Sequence, residues 1–239
     1  MDRFFHRDIT PAELTLEESE GRHLAQVLRK EPGELVEVFD GQGASATTRI
    51  ASIGKKGGNV VLVRTTEVAV DPAPTPAVCV AAAVPKGERF KWMIEKLTEI
   101  GVDELQLLST RRSVAEPGAD RVDKLTALVI AACKQSRRNR LLRIHPVVSL
   151  SQFLKSPEGD LFLCNADGSS PIATPVSADA SHLIVAVGPE GGWTADEIDE
   201  CSRSSGFRGA IALSSHILRV ETAAILGGAW AVQRRGPFG

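Results

Sequence analysis

Two loops near the C-terminus, each following an apolar run, decide how this chain is expected to fold. The first reads Gly188-Pro189-Glu190-Gly191-Gly192-Trp193 and directly follows the run Leu183–Val187. The second reads Leu213-Ser214-Ser215-His216-Ile217-Leu218-Arg219-Val220-Glu221-Thr222-Ala223 and follows Ala210–Ala212. Each stretch has the pattern of a buried strand that leads through a loop into a helix. Because ligands bind at the carboxyl ends of strands in an open α/β sheet, the two loops are predicted to form one pocket.

The residue types in these loops fit a binding site, although each has a structural alternative. Glycines in the first loop allow a sharp turn or a close approach to a ligand, and an ordinary tight turn would use them as well. Arg219 and Glu221 are opposite charges among apolar neighbours. Burying them is costly unless they form ion pairs, with each other or with Glu190, or serve a site. The chain has no Gly-x-Gly-x-x-Gly, phosphate-loop or Gly-x-Ser-x-Gly motif, which argues against nucleotide-binding and hydrolase classes.

The rest of the chain predicts two domains. Residues 1–70 contain short β-rich runs, turn signals and one helical stretch at 18–28, which predict a small barrel. Residues 71–77, with prolines at alternate positions, predict an extended linker. In residues 78–239 apolar runs alternate with helical patterns, which predicts an α/β domain with a mostly parallel sheet and helices on both faces. The sequence Thr194-Ala195-Asp196-Glu197 predicts a capping box at a helix start.

Composition excludes several classes. The 28 basic and 30 acidic residues give a net charge of −2, so any basic surface must be local. No apolar run reaches the roughly 18–20 residues that span a bilayer, and the N-terminus lacks the apolar core of a signal peptide. The four cysteines contain no Cys-x-x-Cys pair, and the histidines show no metal-ligand spacing. We therefore expect no metal, no membrane association and buried, reduced cysteines in a cytoplasmic protein.

A local basic run provides the candidate nucleic-acid surface. No acidic residue occurs between Asp123 and Glu158, and the segment Arg137-Arg138-Asn139-Arg140 lies in that window. Cations at a solvated helix end are the structural alternative. The density of arginines favours contact with RNA phosphates. The predicted RNA-binding residues are Arg3, Arg7, His23, Arg29, Lys86, Arg89, Arg112, Lys134, Arg137, Arg138 and Arg140.

Several of these segments resemble those of a known family. Gly188–Thr194 and Ile217–Ala223 resemble signatures of the RsmE-type 16S rRNA (uracil-N3)-methyltransferases, which belong to the SPOUT superfamily. Gly21–Arg29 resembles the first helix of that family, and Lys86–Val102 resembles the first helix of its catalytic domain. Three shorter segments also resemble the family, and all of these segments occur in the family's order along the chain: Arg3-Phe4-Phe5, Arg112-Ser113 and Gln135-Ser136-Arg137.

The resemblance implies a fold and a cofactor. It implies a PUA-like β-barrel followed by a SPOUT-type domain with a deep trefoil knot, in a homodimer that acts on 16S rRNA of the small ribosomal subunit. It also implies that S-adenosylmethionine is bound by the loop after Leu163 and by the two C-terminal loops. The cofactor-binding residues implied are Leu163, Cys164, Gly188, Pro189, Glu190, Gly191, Gly192, Leu213, Ile217, Leu218, Thr222 and Ala223.

The chemistry of this reaction suggests roles for the two charged residues. Uracil N3 carries a proton at neutral pH, so its methylation calls for a base or for a cation that stabilises the anion. We assign Arg219 the electrostatic role and Glu221 the role of orienter or base. Two alternatives stay open: an RNA-binding homologue without catalysis, suggested by Ser214-Ser215-His216 where relatives have Gly-Pro-Arg, and a methyltransferase acting on another rRNA or tRNA base.

Overall fold

The chain forms two compact units. A computed structural model describes residues 1–55, 58–113, 122–155, 159–170, 175–177 and 179–235. The first unit contains Met1–Ala73 together with Ile130–Leu141, and the second contains Pro74–Val129 and Leu142–Gly239. None of the helices in these described ranges is long and apolar enough to cross a membrane.

The first unit is built on a six-stranded sheet. Its strands run in the order β1-β3-β4-β5-β2, and β6 pairs with β4. Their bounds are β1 Arg3–Phe5, β2 Glu13–Thr15, β3 Leu35–Phe39, β4 Ala44–Ser52, β5 Val61–Arg64 and β6 Ala69–Val70. The helical stretch predicted at 18–28 begins as α1, Glu18–Arg22, and continues as a π-helix over His23–Val27.

Apolar side chains from alternate strand positions close the core of the first unit. Val36 and Val38 of β3 and Ile50 of β4 are fully buried, as are Phe4 and Leu24. Because side chains alternate between the two faces of a strand, Val36 and Val38 share one face, on which β3 packs into this core. The prediction of a small β-rich domain at the N-terminus is confirmed.

The second unit is an α/β domain whose six strands are all parallel. The strand order is β12-β10-β11-β7-β8-β9. The strands are β7 Ala77–Ala83, β8 Glu104–Ser109, β9 Arg143–Ser149, β10 Asp160–Ser169, β11 His182–Val187 and β12 Phe207–Ile211. Its helices are α2 Glu88–Glu99, α4 Leu150–Phe153, α5 Ala195–Ser202 and α6 Val220–Arg234. Helix α3, Val122–Ser136, begins in this unit, and its residues from Ile130 onward belong to the first unit.

Helices pack on both faces of this sheet, and α6 approaches it closely. On one face Leu150 of α4 and Cys201 of α5 share a buried cluster with strand residues. On the other face a Cβ at Gly227 of α6 would lie 2.6 Å from Val185 Cγ1 of β11. Trp230 of α6 packs edge-on against Phe162 of β10, with ring centroids 4.8 Å apart. The absence of a side chain at Gly227 thus allows α6 to pack closely against β11.

The predicted α/β class with a mostly parallel sheet is confirmed, and two local expectations need correction. The chain after Leu163 is not a loop, because β10 continues to Ser169 with a register shift after Cys164. Strand β9 and helix α4 were not predicted. The trefoil knot stays a prediction.

Candidate functional site

The glycine-rich loop at the end of β11 turns tightly and leaves its backbone open. The N–H of Gly192 donates to the carbonyl of Pro189 at 2.8 Å, which closes the turn. Gly192 has a φ of +69°, a left-handed conformation that glycine adopts without strain. Apart from Gly192 and its two chain neighbours, no described residue has an atom within 4 Å of where a Cβ of Gly192 would be. The loop therefore presents backbone rather than side chains on this side.

A buried tryptophan ties this loop to the neighbouring strand. The indole Nε1–H of Trp193 donates to the carbonyl of Cys164 in β10 at 3.0 Å. The same ring lies against Gly188, where a Cβ would stand 2.9 Å from Trp193 Cε2. Gly188 is required here because the indole occupies the space of a side chain. The ends of β10 and β11 are thereby held together.

A capping box starts α5 directly after the loop, as predicted. The Thr194 hydroxyl accepts from the N–H of Glu197 at 3.3 Å, and the Glu197 carboxylate accepts from the N–H of Thr194 at 2.8 Å. The other carboxylate oxygen of Glu197 accepts the N–H of Arg111 at 2.9 Å. Burial alone would raise the pKa of Glu197, but these hydrogen bonds outweigh it and the pKa is lowered.

The second loop leads from β12 into α6 and forms the opposite wall. The Ser214 hydroxyl accepts the N–H of His216 at 3.0 Å, so a local turn forms within Ser214–His216. Ile217 is 94% exposed, and Leu218 is half-buried. Arg219 is the N-cap residue of α6, which begins at Val220.

The two loops border a cavity of about 320 Å³ at the carboxyl ends of β11 and β12, beside Cys164–Ala166 in the middle of β10. This size lies within the range of small-molecule sites, which starts at about 300 Å³. Of the residues predicted to bind the cofactor, those that line it are Cys164, Gly188, Pro189, Glu190, Gly191, Gly192, Leu213, Ile217, Leu218 and Ala223. Trp193, Ser214, His216 and Val220 also line it and lie in the two loops predicted to form the pocket, although they were not in the predicted cofactor set. Four lining residues lie outside those loops and were not predicted: Asn165, Ala166, Val187 and Ile211.

Leu163 and Thr222 are the two predicted cofactor residues that are not among the lining residues. Leu163 is fully buried in the core cluster on one face of the sheet, and Thr222 is half-buried in α6. The lining residues Asn165 and Ala166 instead directly follow Cys164 on β10. Leu163 does not line the cavity because its side chain is packed in the core cluster.

The two predicted catalytic residues differ in environment. Arg219 is exposed at the start of α6. Glu221 is 4% exposed in the first turn of the same helix, and its Oε2 has no hydrogen-bond partner among the described residues. A carboxylate in the first turn is favoured by the helix dipole, but a buried oxygen without a partner is costly. Neither Arg219 nor Glu221 is among the residues that line the cavity between the two loops, so their catalytic roles stay a prediction.

Two of the predicted RNA-binding residues are held inside the first unit. Arg3 is 4% exposed, and its guanidinium pairs with Glu37 at 3.2 Å and donates to the Cys133 carbonyl at 3.2 Å. Lys134 pairs with Glu20 at 2.8 Å. Both side chains are therefore occupied by internal partners, and their role in binding RNA stays a prediction with less support than the exposed positions.

The other predicted RNA-binding residues are more accessible. Arg7 and Arg137 have exposed side chains, and Arg137 adopts a φ of +61° just after α3 ends. The guanidinium of Arg140 donates to the Asp71 carbonyl, and that of Arg112 to the Gly191 carbonyl. The remaining ones are half-buried His23 and Arg138 and exposed Arg29, Lys86 and Arg89.

All four cysteines are free, and Cys79, Cys133 and Cys201 are buried. Burial raises the pKa of Cys79, Cys164 and Cys201 to about 12 and that of Cys133 to about 11. These thiols therefore stay protonated and unreactive at neutral pH. Within the described ranges no group of three or more His, Cys, Asp or Glu side chains could hold a metal ion.

Comparison with known proteins defines the class. A parallel α/β domain with a cavity at its strand ends matches the family described as "RNA methyltransferase domain" over residues 71–231. Residues 16–63 match the family described as "RNA methyltransferase PUA domain". The PUA match lies within the first unit, and the larger match covers most of the second unit together with residues 71–73 and 130–141 of the first. Together they define an RNA methyltransferase with an N-terminal PUA domain.

Individual relatives identify the family within this class. Ribosomal RNA small subunit methyltransferase E of Mycobacterium bovis is 31% identical over 225 residues, covering 90% of this chain and 84% of the relative. The protein of the same name from Synechocystis is 30% identical, covering 90% and 71%. A crystal structure of the Neisseria gonorrhoeae protein bound to S-adenosyl methionine superposes with a TM-score of 0.84 at 27% identity, covering 96% and 95%. The chain belongs to the family of ribosomal RNA small subunit methyltransferase E.

Proposed function

We propose that this protein transfers a methyl group from S-adenosylmethionine to N3 of a specific uridine in 16S rRNA of the small ribosomal subunit. The observation that carries the proposal is the cavity between the glycine loop and the loop before α6, in a chain of this family. A relative with the same fold holds S-adenosyl methionine in its crystal structure. The alternatives, binding without catalysis and methylation of another base, are outcomes of the test below.

The residues present fit this cofactor. Apolar side chains such as Leu213 and Leu218 suit an adenine ring, and backbone at Gly191 and Gly192 is open to polar contacts. Ser214 and His216 line the cavity and are joined by a local hydrogen bond, which supports a formed wall in this segment.

Arg219 and Glu221 are the residues proposed to act on the uracil. When bound, S-adenosylmethionine supplies an electrophilic methyl group, and the protein has to present N3 without its proton. The guanidinium of Arg219 stabilises the negative charge that develops on N3 and the flanking carbonyl oxygens. Glu221, with one unpaired oxygen, accepts the N3 proton or orients the N3–H.

The RNA is proposed to meet the protein at its exposed cations. Arg7, Arg29 and Arg137 on the first unit are the accessible members of the predicted set, and phosphate contacts position an RNA without reading its sequence. Residues 1–70 would then act as the RNA-binding domain and residues 78–239 as the knotted methyltransferase domain. A homodimer acting on ribosomal subunits in the cytoplasm completes the proposal.

Two measurements test this function. Calorimetric titration with S-adenosylmethionine should show saturable binding, whereas a homologue that has lost the cofactor site would show none. Methylated uridines in 16S rRNA are then mapped by mass spectrometry in a deletion strain, with and without a plasmid that carries the gene. We expect one N3-methyluridine to vanish and return. An unchanged map in the deletion strain, or restoration of a different modified base, would contradict the assignment.

A further inference from the structure

The turn that follows β8 contacts the cofactor loop although none of its residues lines the cavity. Its two ends are joined because the Ser113 hydroxyl accepts the N–H of Thr110 at 3.0 Å and the N–H of Ser113 donates to the Thr110 carbonyl at 3.1 Å. The turn Thr110–Ser113 is therefore a compact element with its own hydrogen bonds. It belongs to the same unit as the glycine loop.

Two hydrogen bonds and an ion pair join this turn to the loop and to α5. The guanidinium of Arg112 donates to the Gly191 carbonyl at 2.6 Å, and the N–H of Arg111 donates to Glu197 at 2.9 Å. The side chain of Arg111 lies 3.8 Å from the carboxylate of Asp196. A Cβ at Gly191 would stand 3.2 Å from Arg112 Cδ, so the arginine stem also packs against this glycine.

Glu197 serves two structures at once. One of its carboxylate oxygens closes the capping box with Thr194, and the other accepts the N–H of Arg111. Its pKa is lowered because these hydrogen bonds favour the charged form over the opposing effect of burial. The start of α5 and the turn after β8 thus share one buried anion, 4% exposed.

We infer that Arg112 and Glu197 are positioning residues that hold the glycine loop in its cofactor-binding conformation through the Thr110–Ser113 turn. Arg112 fixes the Gly191 carbonyl, and with it the direction of the peptide that leads into Gly192. Glu197 fixes the point where the loop enters α5. This differs from the sequence-based prediction that Arg112 binds RNA, and it rests on the proposed function, since it assigns these residues to the cofactor half of that reaction.

Loop mobility without ligand provides the first test. In Arg112→Ala, hydrogen exchange of a peptide covering 188–197 should be faster than in the wild type, because two N–H groups in it, of Gly192 and Thr194, bond within the braced segment. Arg203→Ala is the matched control, since Arg203 is an exposed arginine at the end of α5 that pairs only within that helix in the described part of the chain. Exchange as slow in Arg112→Ala as in this control would overturn the inference.

Binding constants provide the second test. Loss of one charge-assisted hydrogen bond in an exposed setting should raise the Kd for S-adenosylmethionine about three- to tenfold in Arg112→Ala. Arg112→Lys, which keeps a donor, should recover part of this loss, and Glu197→Gln should show a similar loss because an amide nitrogen cannot accept. The Kd for 16S rRNA fragments should stay within about twofold of the wild type, since no phosphate contact is removed.

The outcomes separate this inference from the proposed function. A wild-type protein that binds no S-adenosylmethionine refutes the proposed function. In that case the hydrogen exchange of the loop still tests the positioning role of Arg112, because an unchanged rate in Arg112→Ala would refute that role. If the wild type binds S-adenosylmethionine and Arg112→Ala binds it equally well, only the positioning role of Arg112 is refuted. Weaker RNA binding with unchanged cofactor affinity would return Arg112 to the RNA-binding surface and overturn the inference.

Discussion

Replacing Gly188 with alanine tests whether the indole of Trp193 holds the cofactor loop to β10. The added Cβ would lie 2.9 Å from Trp193 Cε2 and 3.1 Å from Nε1, closer than carbon atoms approach without displacement. Moving the ring would also weaken its 3.0 Å hydrogen bond to the Cys164 carbonyl. The φ of Gly188 is not in the left-handed region, so alanine adds no backbone strain and the effect is steric.

The expected loss follows from two contributions. Overpacking of a well-filled site costs about 1–3 kcal/mol, and a lost hydrogen bond costs about 0.5–1.5 kcal/mol. Their sum, about 1.5–4.5 kcal/mol in the free energy of unfolding, corresponds to a lower melting temperature by very roughly 3–18 °C for a chain of this size. Far-UV circular dichroism during thermal unfolding measures it, and calorimetry should show weaker binding of S-adenosylmethionine.

A double-mutant cycle makes the reasoning refutable. In a Trp193→Phe background the smaller ring leaves room for the Cβ, so Gly188→Ala should cost at least about 1 kcal/mol less than in the wild type. Gly192→Ala is the control: its φ of +69° costs about 1–2 kcal/mol through the backbone alone, independent of residue 193. Additive losses for Gly188→Ala and Trp193→Phe would refute the contact as the cause.

Three further predictions concern the reaction, pH and α6. Glu221→Gln should lower the rate of methyl transfer by about a hundred- to ten-thousandfold if Glu221 is the base, and Arg219→Ala should lower it as well. Single-turnover methylation assays measure this rate, and an unchanged rate in either variant would remove that residue from the mechanism. The lowered pKa of Glu197 stabilises the fold fully at neutral pH and does so less as pH falls through that pKa, so Glu197→Gln should lose less stability on acidification to about pH 3 than the wild type does, as measured by urea unfolding. Gly227→Ala should destabilise the protein by about 1–3 kcal/mol, because its Cβ would lie 2.6 Å from Val185 Cγ1; a gain in thermal stability from the better helix propensity of alanine would contradict this.

Local patterns were sufficient to predict the parallel α/β domain and most of the cavity wall. The runs that became β7, β8, β10 and β11 are continuous and apolar because both faces of the sheet are covered. The glycines at 188, 191 and 192 mark a turn on sequence alone. Strand β9 escaped prediction because it is an edge strand with Pro146 at its centre and no fully buried residue, so it lacks the apolar run of a central strand.

Long-range pairing explains what the sequence did not predict at the candidate site. Lys134 was expected at an RNA surface because it lies in a basic run, and Arg3 was expected to extend that surface across the barrel. Their acidic partners, Glu37 and Glu20, lie 34 and 114 residues away along the chain, and no local rule connects them. The hydrogen bond from Arg112 to Gly191 spans 79 residues in the same way. The sequence shows which residues are cationic, but only the tertiary structure shows whether each one pairs inside the fold or is free to contact a ligand.

The first unit is formed by two segments that are far apart in sequence, so its contacts cannot all form while the first segment is being synthesised. This unit combines Met1–Ala73 with Ile130–Leu141, and Arg3 near its beginning is held by the Cys133 carbonyl near its end. During synthesis, Arg3 therefore lacks this hydrogen-bond acceptor until residue 133 has left the ribosome. A truncated gene that stops at the proline-rich connector would encode a barrel with the Arg3 guanidinium deprived of that carbonyl. Expression of the small unit alone is best attempted with the 130–141 segment supplied as a fused extension.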